Sequence, residues 1–288
     1  MGGVLNIYKP PGLSSAAVVG KVKHILGTRA VGHMGTLDPM GEGVLLMGGG
    51  KGTRLFDWFL GKSKTYEATF RFGIMTDTID STGTVTGNTD VVPTAGGIAA
   101  VLPSLAGDVM QMPPAYSAKS VGGVRAYKLA RAGRAVELKP AAVHIDSIEL
   151  LGKTGENEYA FRIDCSAGTY IRSICRDMAE SLGSLAIMTS IKRTRCGKFF
   201  IEDSVSLDKL TVSDIIPMEK ALSDLPFYDA ADELYKKAVN GVPLKCDDLP
   251  DGRFVLRCRG EIIGIAEDTP EGARIRTYLK EDTDAHNC

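Results

Sequence analysis

From Lys64 to Gly73 the chain alternates, with Tyr66, Ala68, Phe70 and Phe72 on one face and Glu67, Thr69 and Arg71 on the other. A repeat of two residues predicts a half-buried strand. Tyr159 to Cys165 repeats it, Tyr159, Phe161, Ile163 and Cys165 alternating with Ala160, Arg162 and Asp164. Two other segments follow a helical period. Ser14 or Ser15 can cap a helix whose Val18, Val19, Val22, Ile25 and Leu26 share a face, and Gly27 stops it. Thr169 to Leu182 predicts a second helix, with Ile171, Ile174, Cys175, Met178 and Leu182 inward and Gly183 at its end. Strands outnumber helices and do not alternate regularly with them, so the pattern predicts an α+β mixed sheet rather than a doubly wound one. There is no internal repeat.

Two stretches break this texture. Gln111 to Lys139 opens with Pro113-Pro114 and contains Gly122-Gly123, so it predicts an insertion projecting from the sheet. Near Leu225-Pro226 the pattern changes again. Beyond it lie an amphipathic stretch, Asp232 to Val239, and strand-like runs Arg253 to Cys258, Glu261 to Ala266 and Ala273 to Leu279. The expected organisation is a domain over 1–225, with the insertion at about 111–139, and a small, mostly β domain over 226–288.

Charge sharpens that division. The net charge of the 288 residues is -1, yet residues 1–201 carry 23 lysines and arginines against 16 acids, and residues 202–288 carry 11 against 19. The basic surplus is densest in the insertion, where Lys119, Arg125, Lys128, Arg131, Arg134 and Lys139 face only Glu137. Tyr116 and Tyr127 lie among them, and basic residues interleaved with aromatics can hold phosphates while offering rings to unstacked bases. A solvated face is the plainer reading of the same run.

Composition and motifs remove several function classes. No apolar run approaches the ~20 residues that span a bilayer, and the start MGGVLNIYKPPG has no apolar signal segment. A soluble, cytoplasmic protein is expected. Six cysteines form no CxxC pair and have no close histidine partner, so neither zinc nor any other metal is expected. Gly48-Gly49-Gly50-Lys51-Gly52-Thr53 fails as a phosphate loop, because Leu45 stands where the first glycine belongs and Gly52 where a Ser or Thr should follow the lysine. Gly41-Glu42-Gly43 starts a dinucleotide fingerprint that Leu46 breaks. No HExxH or GxSxG motif is present. What remains is Gly32-His33-Met34-Gly35-Thr36-Leu37-Asp38-Pro39-Met40-Gly41-Glu42-Gly43, where glycines admit close backbone approach and Pro39 stiffens the chain after a single aspartate. In isolation this segment reads first as a tight turn in which Asp38 caps backbone amides.

The segment resembles the GHxGTLDPxxxGVL element of the TruB family of tRNA pseudouridine-55 synthases, and further blocks extend the likeness in order. Lys9-Pro10-Pro11-Gly12-Leu13-Ser14-Ser15 resembles the family's KPxGxxS element. Lys64-Thr65-Tyr66, followed by Gly73 to Asp80 and Gly83, resembles its KxY…GxxTDTxDxxG block. Gln111 to Lys119 begins its RNA-clasping insertion, Cys165 to Ser173 is similar to CSxGTYIRS, and Arg193-Thr194-Arg195 with Gly197 and Phe199 is similar to RRTRxGxF. The blocks span about 200 residues. Met34, Met40, Gly41 and Glu42 depart from the commoner residues around the loop, and Ser184 to Met188 lacks the usual Cys-Gly-Ala-His.

The resemblance implies the pseudouridine synthase fold, a central mixed and mainly antiparallel sheet flanked by helices, with a C-terminal PUA-like module. It implies isomerisation of uridine to pseudouridine at position 55 in the T loop of tRNA, by base flipping, without cofactor, in a chain expected to be monomeric. Asp38 would be the nucleophile or base at the sugar. Arg172 would pair with it, a cation that on its own lowers a carboxylate pKa by ~1–3 units. Tyr66 would stack on the base and help move a proton, with His33, Tyr170 and Ile191 lining the pocket and Asp80 and Lys9 supporting it. Lys119, Arg125, Lys128, Arg131 and Arg134 would grip the T arm. Read from residues alone, Arg172 could be an exposed helix arginine and Tyr66 a core residue. Three other functions compete: a guide-RNA-dependent synthase, for which the long basic extensions are missing; a tRNA-folding chaperone whose catalysis is incidental; and a glycoside hydrolase, which needs a pair of carboxylates where only Asp38 has the loop context.

Overall fold

A computed structural model describes residues 2–117, 119–121, 123–132 and 138–280. In chain order its elements begin with β1 Gly3–Lys9, α1 Ser15–Ile25, β2 Val31–His33, β3 Glu42–Gly49, α2 Phe56–Leu60 and β4 Lys64–Phe72. Next come β5 Ile74–Thr76, β6 Val85–Asn88, α3 Ala95–Leu105, β7 Gly107–Gln111, β8 Ser120–Val121, β9 Val124–Arg125 and α4 Ala126–Arg131. The long hairpin β10 Ala141–Gly155 and β11 Glu158–Cys165 leads to α5 Ile171–Ser181, β12 Ala186–Cys196, β13 Phe199–Phe200, β14 Ile216–Pro217 and α6 Met218–Ala221. The last part holds β15 Phe227–Ala230, α7 Tyr235–Val239, β16 Arg253–Cys258, β17 Glu261–Glu267 and β18 Arg274–Tyr278.

Among the described residues ten strands form one mixed sheet, ordered β14-β1-β3-β12-β4-β11-β10-β7, with β2 on β3 and β13 on β12. Only the short β12–β3 pairing is parallel, so the fold is α+β with a mainly antiparallel sheet, as expected. The alternation in β4 and β11 is that of a sheet covered on one face. Ile163 lies opposite Tyr66 and Phe161 opposite Ala68, and Phe70 and Phe161 are buried together with Ile174 and Met178, two residues that α5 contributes to the same cluster. Phe70 and Phe161 stack with ring centroids 4.8 Å apart.

β1 and β3 do not alternate, because the sheet is covered on both sides there. Val44 and Leu46 face a cluster that includes Val255 and Ile265 of the second sheet. Leu45 and Met47 face Val18 and Val22 of α1. The second sheet, β15-β16-β17-β18, spans Phe227 to Tyr278. Three of its strands, β16, β17 and β18, fall where the tail pattern places them; β15, which pairs with β16 in parallel, lies outside that pattern.

Helix α5 starts two residues later than the pattern predicts. Tyr170 stays extended as its N-cap residue, held by Gln111, whose side chain donates to the Tyr170 carbonyl at 3.1 Å and accepts from its N–H at 2.8 Å. The Gly48–Gly52 run also receives its explanation. A Cβ on Gly52 would lie 2.0 Å from the Gly3 carbonyl oxygen, so this glycine lets the turn after β3 press against β1. Gly52→Ala is expected to destabilise the fold by about 1–3 kcal/mol, the usual cost of overpacking. Urea denaturation of the purified variant measures it, and a midpoint equal to that of the parent chain contradicts the packing argument.

Candidate active site

Asp38 lies on the segment joining β2 to β3, and three buried groups fix that segment by its main chain. Lys9, fully buried, donates from Nζ to the carbonyls of Pro10 at 2.9 Å, Pro39 at 3.1 Å and Gly41 at 2.5 Å. Ser15 Oγ donates to the Leu37 carbonyl at 2.8 Å and accepts from the Leu37 N–H at 3.0 Å. Arg193 donates to the carbonyls of Val44 at 2.7 Å and of Thr36 and Gly35 at 3.4 Å. A buried carbonyl without a donor costs ~1–3 kcal/mol, so each cation suppresses alternative loop conformations. Burial pulls Lys9 down to about 8, assisted by Arg193 and opposed by Asp38 and Glu42. Lys9 and Asp80 were expected near the site and are there; Ser15, Arg193 and Gln111 were not singled out. Ser15 sits inside the KPPGLSS element, and Arg193 is a charged residue directly opposite Tyr66 in the β12–β4 register; those were the available signals.

Arg172, in the first turn of α5, is buried and forks onto Asp38, with Nε 3.0 Å from Oδ2 and Nη2 3.2 Å from Oδ1. The reading of Arg172 as an exposed helix residue is excluded. Nη1 donates to the Thr78 carbonyl at 3.0 Å and lies 3.6 Å from Asp80 Oδ2, and Nη2 also donates to the Tyr116 carbonyl at 3.0 Å. Asp80 is buried too, its Oδ1 accepting from Thr78 Oγ1, the Thr82 N–H and Thr82 Oγ1. The turn carrying it holds Ile79 at φ 61°, a left-handed conformation that is costly for a β-branched residue. This strain brings the Thr78 carbonyl and the Asp80 carboxylate to one guanidinium. Asp38 is therefore not the lone carboxylate that the sequence suggests, although Asp80 is already engaged by three donors.

The electrostatics correct one expectation. The carboxyl of Asp38 is pushed above its ordinary value of 3.8, because burial, joined by the charge of Asp80, outweighs the lowering by Arg172 and Lys9. The guanidinium limits the rise rather than producing a net fall. Tyr66 is almost fully buried on β4 and its hydroxyl is pushed up to about 12 by burial, Arg193 opposing. That phenol keeps its proton at neutral pH. The half-buried His33 is lowered, by burial first and then by Arg193, which favours the neutral ring.

Ile191 packs with Leu37 and Tyr66, and its Cγ2 would come within 3.1 Å of a Cβ on Gly41. Beside the loop a cleft of about 440 Å³ opens, with Met40 and Glu42 on one side and Ala68, Thr69 and Ile191 on the other. Tyr170 sits half-buried at the head of α5. Of the expected RNA-gripping residues, Lys119 is described, its Nζ donating to the Lys139 carbonyl at 3.2 Å. Arg134 and the side chains of Arg125, Lys128 and Arg131 lie outside the described residues.

Residues 23–171 match the profile of the TruB family pseudouridylate synthase (N terminal domain). The chain belongs to the TruB family. It is 41% identical over 270 residues to the tRNA pseudouridine synthase B of Rickettsia bellii (strain OSU 85-389), covering 91% of this chain and 92% of that protein. It is 37% identical to the tRNA pseudouridine synthase B of Clostridium tetani (strain Massachusetts / E88), covering 97% of this chain and all of the relative. Among solved structures, an H/ACA RNP bound to a substrate RNA containing 2'-deoxyuridine superposes with a TM-score of 0.72 at 23% identity, covering 97% of this chain and 85% of that one. At that identity the likeness speaks for the fold alone, which is that of the pseudouridine synthases.

For this TruB-family site the raised Asp38 pKa has a measurable consequence. If ionised Asp38 is the reacting form, activity falls as pH drops through a value above 3.8. The acid limb of kcat/KM against pH should lie above that of an exposed aspartate, and a limb at or below 3.8 contradicts the electrostatic balance.

Proposed function

We propose that this chain isomerises uridine to pseudouridine in tRNA, at position 55 of the T loop, with Asp38 as the group that reacts at the sugar. The observation that carries the proposal is the forked Arg172–Asp38 contact at 3.0 and 3.2 Å, on a loop immobilised by Lys9, Ser15 and Arg193 beside a cleft. Relatives of about the same length, named tRNA pseudouridine synthase B, support the substrate. Detaching uracil from C1′, turning it and rejoining it through C5 exchanges no electrons, so the chemistry calls for a carboxylate and a cation to orient it, and Asp38 and Arg172 are of those kinds.

The target uridine must leave the stack to reach Asp38, at a cost of a few kcal/mol. Tyr66, Tyr170, His33 and Ile191 would offset this by enclosing the extruded base. Lys119, Arg125, Lys128, Arg131 and Arg134 would hold the T-arm phosphates. Residues 1–225 would carry the chemistry and 226–288 would form a PUA-like module, in a monomer acting in the cytoplasm.

Asp38→Asn should abolish pseudouridine formation, read by mass-spectrometric mapping of unmodified tRNA, while tRNA binding persists. The sign of linkage adds a second readout. A carboxyl whose folded pKa is raised binds more protons folded than unfolded, so stability falls as pH rises from 3.8 through that raised value. Above that raised value the ionised form destabilises the fold relative to the protonated form, so Tm of the parent should decline as pH rises through it, and Asp38→Asn should lack that decline. A variant that still modifies tRNA at the parental rate ends the assignment. Neutralising Lys119, Arg125, Lys128 and Arg131 together should weaken tRNA binding and flatten its dependence on salt, because each released counterion steepens that slope. A filter-binding titration showing an unchanged slope removes the insertion from the interface.

A further inference from the structure

Arg172 touches the insertion as well as Asp38. Its Nη2 donates to the main-chain carbonyl of Tyr116 at 3.0 Å, and the Tyr116 hydroxyl donates to Asp77 Oδ2 at 3.2 Å. Asp77 belongs to the strained turn, where its Oδ1 accepts from the Thr84 N–H at 2.8 Å. That same turn returns the Thr78 carbonyl to Arg172. The contacts close a ring from guanidinium to insertion to turn and back. Upstream, Met112 is anchored on α5, its carbonyl accepting from Ser173 Oγ at 2.8 Å and Arg176 Nη2 at 3.1 Å. Downstream, the Tyr127 N–H donates to the Ser117 carbonyl at 3.0 Å. Tyr116 thus sits between a fixed root and the basic arm.

We propose that Tyr116 is a positioning residue for the Asp38–Arg172 pair, latching the root of the insertion to the guanidinium through its carbonyl and to Asp77 through its hydroxyl. The inference rests on the reading of Asp38 as the reacting group. When the root is seated, Nη2 has a second acceptor and the fork is confined to the geometry that faces Asp38. When it is not, Nη2 loses that second acceptor, the guanidinium is held by its contacts to Asp38, Thr78 and Asp80 alone, and the charge that opposes burial of the carboxylate is less closely aligned with it. Gripping of RNA by the basic arm and alignment of the reacting group become one event. The hydroxyl bond is exposed, so its loss disturbs alignment more than stability.

Tyr116→Phe separates this from a stacking role, because it keeps the ring and removes only the donor. At saturating tRNA the variant should lose about fivefold in kcat, the effect of one hydrogen bond, with KM and Tm essentially unchanged and the acid limb of kcat displaced to higher pH. Asp77→Asn, which removes the same acceptor's charge, should behave alike, and the double variant should be no worse than either single one. In the protein without RNA, hydrogen exchange of the Tyr127 amide should quicken in Tyr116→Phe. Parental kcat and acid limb in Tyr116→Phe overturn the proposal, as does an effect confined to KM, which would make Tyr116 an RNA contact. If the parent chain itself leaves tRNA unmodified, it is the proposed function that fails. The exchange measurement then decides the latch alone, and an unchanged rate at Tyr127 rejects it.

Discussion

One guanidinium organises this molecule. Arg172 comes from α5, and its acceptors come from three separate stretches of chain: Asp38 in the β2–β3 loop, Thr78 and Asp80 in the strained turn, and Tyr116 at the root of the insertion. Burying an arginine is costly unless its N–H donors are met. Here carbonyls as well as carboxylates meet them, so the segments must arrive together for α5 to seat its first turn. The fork also fixes direction. A planar guanidinium held at its edges presents Asp38 with a defined pair of hydrogens, which a lysine could not do.

The same device recurs on a smaller scale. Lys9 and Arg193 are buried cations whose hydrogen bonds go to main-chain carbonyls of the Asp38 loop and its flanks. A loop offers no ladder to satisfy its carbonyls, and water would satisfy them in many conformations. Buried donors satisfy them in one. The positive charges have a second effect: Lys9 and Arg172 both oppose the rise of the Asp38 pKa, and Arg193 lowers those of Lys9 and His33. Rigidity of the loop and a supply of positive potential therefore come from the same side chains.

How far the sequence reveals this depends on what each residue bonds to. β4 and β11 were legible because one face is buried, and so were β16, β17 and β18, bounded by turn residues. β3 left only a short apolar run, Val44 to Met47, since the second sheet covers one side and α1 the other. Asp38 and Arg172 were legible through motifs that resemble a known family. Ser15, Gln111 and Arg193 were not singled out as site residues, because each serves the main chain, and a carbonyl acceptor leaves no mark on the residue that carries it. The start of α5 was misjudged for the same reason, Gln111 holding Tyr170 extended from another strand.

The direction of the Asp38 shift was the largest miss, and it changes the chemistry. A pairing arginine considered alone depresses a carboxylate pKa, which keeps it ionised and makes it a poorer nucleophile. Burial and the charge of Asp80 act the other way and prevail. A raised pKa means that the ionised oxygen holds its electron pair at higher free energy, and nucleophilicity follows basicity so long as the ionised form persists. Arg172 then has a narrower task than neutralisation: it opposes the rise that burial and Asp80 impose. The strained Ile79 turn fits that balance. It delivers Asp80 close enough to raise the energy of Asp38, yet saturates Asp80 with three donors so that it does not compete for the same reaction.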